Sequence, residues 1–145
     1  MEELEALRKM VEDHDYSAAL ALIDEMDEMA KDDKITKIIS FLHVLLVHLI
    51  KQKAEKRTTS SWNRSVNHSV RGVISANKRR SSGGYYLKVE ELENVIDEAF
   101  TFAMKEAADE AFGGAYTAKV VSEMIDQEAI KKEALDLILN YESSL

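Results

Sequence analysis

The stretch Ile38-Ile39-Ser40-Phe41-Leu42-His43-Val44-Leu45-Leu46-Val47-His48-Leu49-Ile50 decides how the chain folds. Only Ser40, His43 and His48 interrupt its apolar character. It is well short of the roughly 20 apolar residues that span a bilayer. With Ile35, the residues Ile38, Ile39, Leu42, Leu46 and Leu49 fall at helical spacing. Phe41, Val44 and Val47 occupy the opposite side. A helix that is apolar on most sides belongs inside a protein. The reading is therefore a buried central helix near 34–55. Asp32 and Asp33 stand at its expected start and Lys51, Lys53 and Lys56 at its end, both matching the helix dipole.

Working outward, every flanking segment reads as a helix able to wrap the central one. Glu2 to Val11 is amphipathic through Leu4, Leu7 and Val11, and Glu12-Asp13-His14-Asp15 breaks it. Asp15 suits the N-cap of a helix over Tyr16 to Ala30. The apolar stripe there is Ala18, Ala19, Leu22, Met26 and Met29, widened by Leu20 and Ile23, with the methionines read as adaptable core filler. After the central helix, Thr58 to Ser61 is a capping cluster, with Ser60 or Ser61 opening a helix to about Asn77. Its stripe is Trp62, Val66, Val70, Val73 and Ile74. Ser81-Ser82-Gly83-Gly84 is a loop. Val89 to Phe112 reads as a long helix with Leu92, Val95, Ile96, Ala99, Phe102 and Ala103 inward, ended by Gly113-Gly114. A last helical region runs from Ala115 to about Tyr141, broken near Asp126. The chain contains no proline, the usual helix breaker. The expected fold is all-α: a single-domain bundle of five or six helices over 1–145, with N-terminal helices in 1–80, a loop at 81–84 and C-terminal helices in 85–145.

A chain of 145 residues suits one domain with a sizeable core. It has no cysteine, which removes disulfides and thiolate chemistry. The acidic start Met1-Glu2-Glu3-Leu4-Glu5 is unlike a signal peptide, so a cytoplasmic protein with no membrane partner is expected. Charge is distributed in three blocks. Residues 1–33 carry a net −9, residues 34–80 a net +10 and residues 81–145 a net −9. Two readings follow. Either the outer helices neutralise the middle by packing beside it, or the middle presents a cationic surface to a phosphate-bearing ligand.

His43 and His48 lie five apart, about 140° around a helix, so they do not share a metal. Glu-x-x-His, His-Glu-x-x-His and glycine-rich phosphate loops are all missing, so no metal or cofactor is expected. His48 is read as a hydrogen-bonded residue at the edge of the core. Carboxylate pairs such as Glu93 with Asp97, or Glu106 with Asp109 or Glu110, are what chance supplies in so acidic a chain. One polar constellation stands out. Arg64, Asn67, His68 and Arg71 lie three and four apart on one helix face. With Lys78, Arg79 and Arg80 they make a candidate anion or nucleic-acid surface. Arg64, His68 and Arg71 are the catalytic candidates, with His68 as acid or base.

Two family resemblances bear on this. Arg64-Ser65-Val66-Asn67-His68 is similar to the Arg-x4–6-His motif of the HEPN nucleases, with only three intervening residues. More of the chain resembles the bacterial domain of unknown function family 29. The resemblance rests on Val44-Leu45-Leu46-Val47-His48-Leu49-Ile50-Lys51 followed by Ser61-Trp62, with Leu22-Ile23-Asp24-Glu25-Met26-Asp27-Glu28-Met29 ahead of them. It covers about Tyr16 to Phe112. Departures include Gln52 where the family has tryptophan or leucine, and a proline-free Lys53 to Thr59. The segment after Phe112 has no counterpart in the pattern. The resemblance implies a helical fold and makes His48 and Trp62 framework positions. The expected function is a non-enzymatic interaction protein with a protein partner, a homo-oligomeric state and nucleic acid among its possibilities. The alternative is an RNase or toxin–antitoxin component using Arg64 and His68.

Overall fold

The apolar run lies in the second half of a helix forty residues long. The computed structural model describes residues 2–79 and 83–141. Their regular structure is helical: α1 (Glu2–Glu12), α2 (Tyr16–Glu55), α3 (Ser60–Asn77), α4 (Val89–Glu110), a 3-10 turn (Ala111–Gly114), α5 (Ala118–Glu123) and α6 (Gln127–Leu139). One isolated antiparallel bridge joins Lys78 to Tyr85. The chain divides into two compact units, Met1–Lys34 and Ile35–Leu145.

The first unit holds α1 and the beginning of α2. His14 adopts a left-handed conformation after α1, and the Asp15 N–H reaches back to the Met10 carbonyl at 2.8 Å. Asp15 then caps α2, its Oδ1 accepting the Ala18 N–H at 3.3 Å. Ala19 is buried, whereas Leu20 is 62% exposed, and Ile23 and Met29 are exposed too. Met29 is thus not core filler. The expected break at Asp32-Asp33 does not occur, because α2 continues to Glu55. Neither aspartate removes a backbone donor, and an exposed aspartate inside a helix costs only a few tenths of a kcal/mol relative to other residues. The flanking helix formers carry the helix through.

The second unit is built on the rest of α2. Ile38, Leu42, Leu45, Leu46, Leu49 and Ile50 are fully buried, each contributing roughly 1.5–3 kcal/mol by leaving water. Ile39 and Val44 remain exposed, so the helix has one open edge. A left-handed Lys56 ends α2. Thr59 caps α3, its hydroxyl oxygen accepting the Trp62 N–H at 3.0 Å. Phe41 faces His68 and Gly72, while His48 faces Trp62, so α3 runs back antiparallel along α2. Val66, Val70 and Val73 are its buried stripe.

Asn77 closes the far end of α3. Its side-chain amide donates to the Leu87 carbonyl at 3.1 Å and accepts the Leu87 N–H at 2.8 Å. The Tyr86 N–H bonds the Asn77 carbonyl and the Arg79 N–H bonds that of Gly84. Gly83 and Gly84 have φ near +72° and +74°, as the expected loop requires; Ser81 and Ser82 of that loop lie outside the described residues. In α4 the buried aromatic is Phe100, not Phe102, which is 72% exposed. Leu92, Ile96, Ala99, Ala103 and Ala107 centre the inward face, and Phe102 lies too far round the helix to join it. Phe112, Gly113 and Gly114 turn the chain with positive φ. Thr117 and Asp126 then cap α5 and α6 through Val120 and Ala129 N–H groups. α4 packs against α5 and α6, and α3 against α6.

Candidate functional site

Burying Val66, Val70 and Val73 turns the opposite face of α3 to solvent. Arg64, Asn67, His68 and Arg71 are all exposed on it. Among the described residues no carboxylate pairs with Arg64, His68 or Arg71. The His68 ring lies edge-on to Phe41 at 5.9 Å between centroids, which anchors one side of it. Arg64 is one helical turn before His68, and Arg71 almost one turn after. This patch can receive an extended anion, with two fixed positive charges and an amide alongside.

The remaining cations sit differently. Lys78 is exposed at the C-cap of α3 and bridges to Tyr85. The Arg79 guanidinium lies 5.1 Å from the Tyr86 ring centroid and is half-buried. Arg79 therefore serves the loop closure as well as the charge pattern. Arg80 lies outside the described residues.

A second cluster forms where α2 ends and α3 begins. Lys51, only 6% exposed, donates to Glu110 Oε1 at 3.1 Å and holds its Nζ 4.6 Å from the Trp62 ring centroid. The Arg57 guanidinium lies 4.7 Å from the same centroid and donates to Glu55 at 3.0 Å. Such cation–aromatic contacts contribute about 0.5–2 kcal/mol each, more as water is excluded. His48 lies against Trp62 from the α2 side, with 6.4 Å between ring centroids. Four residues from Glu110 and one turn back on α4, Glu106 pairs with His43. Gln52 donates to Thr58 at 2.9 Å, and Thr58 donates to Asn63 at 2.9 Å, which ties the turn between the helices.

Sequence reading brings His48 and Trp62 forward but misses Lys51, Arg57, Glu106, Glu110 and His43. The i, i+4 spacing of Glu106 and Glu110 puts both on one face of α4, but nothing in the sequence sets this pair apart from the chain's other carboxylate pairs. His48 is also not the hydrogen-bonded histidine expected from sequence. Its Nδ1 is buried and has no hydrogen-bond partner among the described residues. Desolvation first, and the Lys51 charge second, hold its pKa below 6.5, with Glu110 and Glu106 opposing.

The sign of that shift makes a prediction. An unfolded chain binds a proton at His48 more readily than the folded one, so stability gained at neutral pH is lost as pH falls through 6.5 toward the folded value. Urea unfolding at pH 7.5 and pH 5.5 is expected to show a smaller stability difference for His48→Phe than for the parent. An unchanged difference would show that His48 does not carry the pH dependence.

The family described as "Domain of unknown function DUF29" matches residues 2–136. The chain belongs to the DUF29 family. The match reaches well beyond the span of about Tyr16 to Phe112 that carries the resemblance in sequence: α1, α5 and most of α6 are part of the DUF29 region. No curated protein and no solved structure matches the chain. Among the described residues of this DUF29 protein, no helix is long and apolar enough to cross a membrane.

Proposed function

We propose that this DUF29 protein is a non-enzymatic interaction module that binds an anionic macromolecule, RNA or DNA, through α3. The observation carrying this reading is the exposure of Arg64, His68 and Arg71 on one face of a helix whose other face is locked in the core, with no carboxylate partner for any of the three among the described residues. Arginine presents a planar donor fork suited to phosphate, and a rigid helix fixes the spacing of two such forks. The protein's net charge of −8 opposes nucleic acid at long range, so binding rests on this local patch and is strongly salt-dependent.

Fluorescence anisotropy with a labelled single-stranded RNA across a salt series tests it. Arg64→Ala with Arg71→Ala is expected to weaken binding by on the order of tenfold and to lower the salt slope by about 1–2, one phosphate contact per arginine. Absence of RNA and DNA binding at low salt would overturn the reading. Cleavage of the probe that disappears in His68→Ala, with the fold intact, would replace it with nuclease chemistry using Arg64 and His68.

A further inference from the structure

The first unit carries a surface that its own helices leave open. In α2, Tyr16, Leu20 and Ile23 follow one another at spacings of four and three, which places them within an arc of about 60°. All three are exposed, at 56%, 62% and 45%. The adjacent arc holds Ala19, Leu22 and Met26, which are buried or half-buried. So α2 has a wide apolar face of which only half is covered. Asp24 and Glu28, one turn apart, edge the open half. Residues 1–33 carry twelve acids against three bases.

Charge decides between occupants. A second copy of the same acidic hairpin laid on this stripe would bring like charges together, which destabilises a helix pair. The basic helix α3 of another copy has its apolar face buried in its own core, so it offers only polar residues to the stripe. A helix with an apolar face flanked by lysine or arginine satisfies both the stripe and its acidic edge. We infer that Tyr16, Leu20 and Ile23, edged by Asp24 and Glu28, form a docking surface for a basic amphipathic helix of a partner protein.

The full chain tests this with a designed amphipathic helical peptide of leucine and lysine, and a matched peptide with glutamate in place of lysine. Calorimetry is expected to detect the lysine peptide and not the glutamate one. Leu20→Ser with Ile23→Ser leaves every charge in place and is expected to weaken the lysine peptide by at least about tenfold, the loss of two interface anchors. Asp24→Lys with Glu28→Lys should shift preference toward the glutamate peptide. Both variants change exposed residues, and unchanged circular dichroism verifies their fold. Equal binding of the lysine peptide by parent and Leu20→Ser/Ile23→Ser overturns the inference, as does a dimer in sedimentation that this variant abolishes, which would make a second copy the occupant.

Discussion

Replacing Trp62 with alanine is expected to lower the unfolding free energy by about 2–3 kcal/mol. Truncating a fully buried tryptophan costs about 3–5 kcal/mol, and the half-burial of Trp62 reduces that. What keeps the value high is the company the ring keeps. Lys51 is buried beneath it, Arg57 lies over it and His48 packs against it. Removing the ring opens Lys51 to one side and strips the contact that aligns the end of α2 with the start of α3. Trp62→Phe keeps an aromatic face and is expected to lose about 1 kcal/mol, because the phenyl ring is smaller and a weaker cation partner. Urea denaturation followed by far-UV circular dichroism measures both, since Trp62 is the sole tryptophan and cannot report on its own removal. A loss below about 0.5 kcal/mol for alanine would place Trp62 among ordinary surface residues.

Gly72→Ala is expected to cost about 1–3 kcal/mol, the range for overpacking a filled site. A Cβ at Gly72 would lie 2.5 Å from two atoms of the Phe41 ring and 2.7 Å from its Cγ. The near end of the ring is caught as well as its edge, so a small swing of the side chain does not clear it. Either the ring leaves its rotamer or α3 moves away from α2 and loosens the contacts of Val70 and Val73. Phe41→Leu makes room at the same point. The double variant is expected to recover part of the Gly72→Ala loss, with a coupling of about 0.5–3 kcal/mol in a thermodynamic cycle. Additive losses would show that the two helices yield elsewhere. His68 rests against the same ring, so the cycle also tests whether the candidate site is held by this contact.

Much of the architecture can be read from the chain because helices announce themselves locally. The run 38–50, the cap Asp15, the break near Asp126 and the stop at Gly113-Gly114 all follow from periodicity and turn chemistry. The failures have two causes. Asp32-Asp33 resembles a helix start, but a cap signal acts only where the helix also has a reason to stop, and nothing before it breaks hydrogen bonding. Met29 is an apolar residue whose inward or outward fate depends on which neighbour arrives, a tertiary fact that spacing along one helix does not contain, and Phe102 sits at the margin of a stripe whose centre is fixed only by packing. The candidate face of α3 is legible for the same reason as the helices: Arg64, Asn67, His68 and Arg71 share one local period. The Lys51, Trp62 and Glu110 cluster is not, because its members come from three helices and meet only after packing.

The closure at Asn77 has a consequence for how such a chain can vary. One side chain ties the end of α3 to Leu87 by both its donor and its acceptor. The start of α4 is thus positioned by residues 77 and 87, and not by the length of what joins them. Lengthening a connection between two fixed ends costs little, about 0.6 kcal/mol per doubling of its length, so the connection between these anchors can vary in length while the anchors hold. That makes the segment the natural place to graft an epitope or a fluorescent domain, while Asn77 itself has no such freedom.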